Sequence, residues 1–229
     1  MGIFKKIFLL LTVLIMTGWS ISLPELFVIG DSISIDYGPY LENYLQGIAL
    51  YGRKQDEGKA NNNSDYPTGT NGGDSGMVLK YLLYKLNNTG FRPDYLLLNC
   101  GLHDIKRNAA TNEVQVTEKE YRKNLETIFK LLKKKNIQLI WIRTSPVVDS
   151  IHNAGSRSYY RYAADVDTYN RIADEICRKH NVPAIDLFSF SKQLGEDQFK
   201  DHVHYKEPAC ALQAAFIAGA VQTILNSNE

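Results

Sequence analysis

Cysteine, proline and surplus charge are what this sequence has least of, and each shortage excludes something. Three cysteines (Cys100, Cys177, Cys210) among 229 residues are too few and too scattered for a disulfide framework or a zinc knuckle. At most one pair could bridge, and three buried small apolar residues are the simpler expectation. Seven prolines and sixteen glycines exclude a collagen-like chain. Lys plus Arg number 26 against 25 for Asp plus Glu, a formal net charge of +1, without the basic excess of a nucleic-acid binder. A hydrophobic share of 44% excludes intrinsic disorder as well as a multi-span membrane protein. There is no internal repeat and no linker, so residues 23–229 are expected to form one domain.

The first residues read as an address. Lys5 and Lys6 precede an apolar run from Ile7 to Met16, broken only by Thr12, and then Thr17, Gly18, Trp19, Ser20, Ile21 and Ser22. This is the charged, apolar and small-residue order of a secretory signal, with cleavage expected before Leu23. The competing reading is an uncleaved tether, for which the apolar run falls short of the about 20 residues a span needs. Loss of the two lysines takes the net charge from +1 to −1. The mature chain is expected to be exported, without stable membrane insertion.

Beyond the leader, apolar runs alternate with helical spacing. Strands are predicted at Glu25–Gly30, Ile48–Tyr51, Tyr95–Leu98, Ile137–Ile142 and Val182–Ile185. Helices are predicted over Gly38–Gln46, Ser75–Leu86, Thr117–Lys135, Tyr159–His180 and Pro208–Asn226. Thr117 with Glu120 forms a capping box, and Lys133–Lys135 suits a helix C-terminus. Gly52–Gly73, Val147–Ser158 and Leu194–Tyr205 read as loops. Strands apolar on both faces and separated by helices predict a parallel sheet of about five strands in a three-layer α/β/α sandwich. Active residues in such folds follow the carboxyl ends of strands.

Three segments stand where that rule looks. Gly30-Asp31-Ser32-Ile33-Ser34 follows the first strand; it offers either an exposed serine hydroxyl or a plain helix cap. Asn99-Cys100-Gly101-Leu102-His103-Asp104 crowds polar donors onto the end of the third. Asp201-His202-Val203-His204 places an acid three residues before a histidine, so that its carboxylate can hold one ring nitrogen and leave the other free as a base. A His-x-His metal site is the alternative there, but a third ligand at convincing spacing is lacking, so no metal is expected. His202 is a second base candidate. Tyr159, Tyr160 and Tyr162 with Arg157 and Arg161 could form a sugar-holding face, or simply pack.

Together these segments resemble the SGNH or GDSL hydrolase superfamily over almost all of the mature chain. Gly30-Asp31-Ser32-Ile33-Ser34 is similar to its first block, Gly72-Gly73-Asp74-Ser75 to its second and Asp201-x-x-His204 to its last. The resemblance implies a flavodoxin-like SGNH fold and a serine esterase that needs no cofactor. It implies Ser32 as nucleophile, His204 as base and Asp201 as its orienting acid. The oxyanion hole would take backbone N–H groups of Ser32 and Gly73 and a side chain from the third block, with Asp31, Gly101 and Asp104 in support. That third block is usually Gly-x-Asn-Asp; here it reads Gly101-Leu102-His103-Asp104, a form found in some branches, so either His103 or Asn99 is expected to supply the donor. The expected substrate is a small-molecule or polysaccharide ester, with acetyl groups on carbohydrate foremost. Lysophospholipase or thioesterase activity and a non-catalytic carbohydrate-binding role are the alternatives.

Overall fold

Five parallel strands carry the architecture, in the order β2-β1-β3-β5-β7. The computed structural model describes residues 22–55, 69–88, 90–155 and 158–227. The leader-like residues 1–21, most of the 52–73 loop and Arg157 lie outside them. In chain order the elements are β1 (Glu25–Ile29), α1 (Ser32–Tyr44), β2 (Leu50–Arg53), α2 (Ser75–Asn88), β3 (Tyr95–Leu98), β4 (Arg107–Asn108), α3 (Glu118–Lys134), β5 (Gln138–Ile142), α4 (Asp149–Gly155), β6 (Tyr159–Tyr160), α5 (Ala163–His180), β7 (Ala184–Ile185), α6 (Leu187–Leu194) and α7 (Glu207–Asn226). The expected α/β/α arrangement with a five-stranded parallel sheet is the one observed.

The central strands form because nothing in them needs water. All four residues of β3 are buried, as are four of the five in β5. Helix α3 starts at the expected capping box, with Thr117 and Glu120 bonded reciprocally, and buries Tyr121, Leu125, Ile128, Phe129 and Leu132 on one face. Each such side chain contributes about 1.5–3 kcal/mol by leaving water. Helix α7 is long and apolar enough to cross a membrane, yet here it packs along α1 and α6 as a core helix. Cys100, Cys177 and Cys210 are buried and unbridged.

Four elements depart from the sequence reading. Helix α1 begins at Ser32, six residues before the predicted start, because Asp31 caps it by accepting from the Ile33 N–H. The 147–158 loop contains α4, and the segment from Tyr159 does not begin a helix. Instead Tyr159–Tyr160 pairs antiparallel with Arg107–Asn108, and α5 starts at Ala163. Helix α6 was not anticipated; Asp186 caps it by accepting from the Ser189 N–H.

The chain leaves β1 toward β2 on one side of the sheet and returns to β3 on the other. The carboxyl ends of β1 and β3 therefore flank the crevice where such sheets bind ligands.

Candidate active site

Ser32 stands at that crevice because the backbone turns sharply between β1 and α1. Gly30 permits the turn: a Cβ there would sit 2.6 Å from Ser34 Oγ, the hydroxyl that donates to the Asp31 carbonyl. As the first residue of α1, Ser32 has a backbone N–H without an acceptor inside the helix, at the positive end of its dipole.

From the far end of the chain, the 201–204 turn brings an imidazole to this hydroxyl. His204 Nε2 lies 2.9 Å from Ser32 Oγ. On the other side of the ring, Nδ1 is 2.8 Å from Asp201 Oδ2 and 3.1 Å from Oδ1. An ionised carboxylate only accepts, so Nδ1 carries the proton and Nε2 presents its lone pair to the serine O–H. Burial pushes the Asp201 carboxyl up. Hydrogen bonds from the His204 and Val203 backbone and from the His204 ring outweigh that and hold it down at about 2.

The third-block segment lies across the crevice. His103 is half-buried, and its ring makes no hydrogen bond among the described residues. Burial, Lys106 and Arg161 together hold its imidazole down at about 3, so at neutral pH the ring is uncharged with one N–H to give. Asn99 corrects the sequence reading. Its amide donates to the Ile142 carbonyl at 3.0 Å and to Thr144 Oγ1 at 3.3 Å, which spends both N–H groups on the end of β5 and leaves none for an oxyanion. Gly73 also differs from expectation. Its N–H donates to Asn71 Oδ1 at 2.8 Å, so that bond must exchange before the N–H can serve a substrate.

The supporting residues lock these segments together. Asp104 is fully buried and accepts the Ser75 N–H on both oxygens, at 2.9 and 3.1 Å, which joins the third block to the second. A side chain on Gly101 would collide with Thr144 Oγ1. Asp31 is 2% exposed; one oxygen caps α1 and the other has no hydrogen-bond partner among the described residues.

Of the two readings of Arg161, a sugar contact or packing, the structure shows packing: it is 4% exposed. It donates from Nε to the Leu102 carbonyl at 2.6 Å and lies 5.0 Å from the Tyr159 ring centre, so it packs behind the third block. His152, on α4, meets His202, which therefore points away from Ser32. The 50 residues between those two histidines leave no local sequence signal.

Comparison with known proteins gives the family and the fold. The family model described as the GDSL-like lipase/acylhydrolase family matches residues 28–208. No curated protein matches the chain. Among solved structures, a lipase/acylhydrolase from Enterococcus faecalis superposes with a TM-score of 0.64 at 18% identity, covering 88% of this chain and 96% of that one. An acetyl xylan esterase from Geobacillus stearothermophilus superposes at 0.61 with 16% identity, covering 87% and 94%. A psychrotrophic esterase from Pseudoalteromonas sp. does so at 0.60 with 15% identity, covering 89% and 99%.

Proposed function

We propose that this chain, which belongs to the GDSL-like lipase/acylhydrolase family and so is a carboxylic ester hydrolase, works through Ser32, His204 and Asp201 on acetyl esters of carbohydrate. The observation that carries the reading is one imidazole bonded to the Ser32 hydroxyl on one nitrogen and to a carboxylate on the other.

In the first half-reaction His204 Nε2 takes the Ser32 proton as Oγ attacks the ester carbonyl carbon. Asp201 keeps the ring in the tautomer that can accept and stabilises it once charged. The negative carbonyl oxygen is met by the Ser32 N–H, by the His103 ring and, once Asn71 has yielded, by the Gly73 N–H. The intermediate collapses, His204 protonates the departing alcohol, and an acyl-serine remains. In the second half-reaction His204 takes a proton from water as its oxygen attacks the acyl carbon; the intermediate then collapses, the bond to Ser32 Oγ breaks, His204 returns the proton to Oγ and the acid leaves.

Ser32→Ala is expected to lower the turnover of an aryl acetate by on the order of 10⁶-fold while leaving the thermal midpoint in place. Retained turnover, or failure of a fluorophosphonate to label Ser32, overturns the nucleophile assignment. The acetyl-carbohydrate reading is supported by the likeness to an acetyl xylan esterase. Acetate release from acetylated xylan or pectin tests it, and cleavage of long-acyl or thioester substrates in preference refutes it. Export is proposed on the leader-like residues 1–22; a secreted form beginning at Leu23 is expected, and an intact N-terminus on the cell-retained protein contradicts it.

A further inference from the structure

Beside the proposed base lies an arrangement that ester chemistry does not use. His152 is fully buried. Its Nδ1 lies 2.8 Å from Nδ1 of His202, the two rings crossing at 71°, and its Nε2 has no hydrogen-bond partner among the described residues. His202 stands between Asp201 and His204 in the chain, with its ring 6.4 Å from that of His204. It lies against the end of α4, since a side chain on Gly155 would meet His202 Cδ2 at 3.9 Å.

Two ring nitrogens at this distance need one proton between them. Two neutral imidazoles carry two protons in all. A buried N–H without an acceptor is rarer than a bare lone pair, so His152 Nε2 is unprotonated. His152 Nδ1–H then donates to His202 Nδ1, and His202 keeps its own proton on Nε2.

A third proton has two places to go. On His202 Nδ1 it sets two N–H groups face to face and opens the contact. On His152 Nε2 it creates a cation in a buried site. The groups facing His152 are the Tyr159 ring at 5.6 Å, Arg161, Asp201 and His202. Burial, Arg161 and His202 hold its imidazole down at about 4, against a hydrogen bond with the His202 backbone and the pull of Asp201.

We propose that His152 is a positioning residue for ester hydrolysis: a one-proton hydrogen bond to His202 ties the 201–204 turn to α4 and so keeps His204 within reach of Ser32. The proposal rests on the reading of His204 as the base. Besides this contact, the turn is held by the buried Val203 side chain, by the N–H and ring bonds into Asp201, by the backbone bonds from Lys200 and Asp201 to the His204 carbonyl and by the Phe199–Tyr205 bridge at its base.

Two measurements on the full chain test it. Nitrogen-15 NMR of the imidazoles is expected to show an exchange-protected proton on His152 Nδ1 that disappears in His202→Phe. Absence of that proton in the wild type overturns the proposal. His152→Phe keeps a ring in place without the proton. It is expected to lower kcat for an aryl acetate about tenfold with KM little changed, and to make the acid limb of log kcat against pH shallower by one proton. An unchanged kcat, or a drop with the shape of the profile intact, overturns the proposal. Should His152→Phe fail to fold, His202→Phe, altered on the half-buried side of the contact, is read in the same way. Fluorophosphonate labelling of wild-type Ser32 separates the two failures. Without labelling the base reading falls and this one with it; labelling without the protected proton removes this inference alone.

Discussion

The nucleophile and the base are held by different means. Ser32 sits where a buried strand becomes a capped helix, between Val28 and Ile29 on one side and Ile33 and Ser34 on the other, each at most 3% exposed. Its position is set by the sheet and by α1 packed along α7. The 201–204 turn has no regular structure, and Asp201 keeps 40% of its side chain in solvent. Its position is set by one buried side chain, Val203, and by a few hydrogen bonds, most of them to Asp201 itself. A strand–helix elbow resists displacement because moving it disturbs close packing. The hydrogen bonds into Asp201 can be disturbed while Val203 keeps its place in the core. Damage on the serine side should therefore reach stability, and damage on the histidine side should reach rate alone.

Asp201→Asn gives the larger effect. The amide oxygen can still accept the Val203 and His204 N–H groups, but the carboxylate that fixes the His204 tautomer is gone. Turnover is expected to fall by on the order of 10⁴-fold, with the urea midpoint close to that of the wild type. A large loss of stability would show that the turn is part of the core after all. Gly30→Ala strikes the other side. The new methyl group meets Ser34 Oγ and Cβ at 2.6 and 2.7 Å, and overpacking of this kind costs about 1–3 kcal/mol. Chemical denaturation should register that cost alongside any loss of rate; an unchanged midpoint would mean that the elbow is as yielding as the turn.

The same division decides what could be read in advance. Strands β1, β3 and β5 were legible because unbroken apolar runs need burial on both faces. α3 was legible because its cap and its apolar stripe are written in consecutive residues. The Ser32 and Asp201–His204 segments were legible because each is short, local and placed at an element end. Helix α4 was hidden by its brevity, since seven residues barely complete two turns. Tyr159–Tyr160 read as helix because a two-residue pairing with Arg107–Asn108 leaves no periodicity. Asn99 read as a free donor because its acceptors, Ile142 and Thr144, lie more than 40 residues away. Arg161 was open between a sugar contact and packing because its aromatic and carbonyl partners, and the buried setting they make, appear only after folding.

The two supporting aspartates extend the comparison to pH, where they move in opposite directions. Asp201, in its exposed turn, is held down at about 2 by hydrogen bonds despite some burial, so it stays ionised throughout the working range. Asp104, on the serine side, is pushed up to about 7 by burial, with the Ser75 hydrogen bonds opposing and Asp74 adding to the rise. In the unfolded chain its carboxyl ionises near the ordinary value of about 3.9. Between that value and 7, the unfolded state has released a proton that the folded state keeps. Folding therefore takes up a proton there, and the contribution of Asp104 to stability, complete below about 4, is lost as pH rises to 7. Asp104→Asn keeps an acceptor for the Ser75 N–H and removes the titration. Urea midpoints measured from pH 4 to 7 should fall in the wild type relative to the variant. The gap should widen by at least about 1.4 kcal/mol, the worth of one pKa unit. Parallel curves would mean that Asp104 is already ionised in the folded protein, in which case the Ser75 hydrogen bonds outweigh burial there as the hydrogen bonds to Asp201 do in the turn.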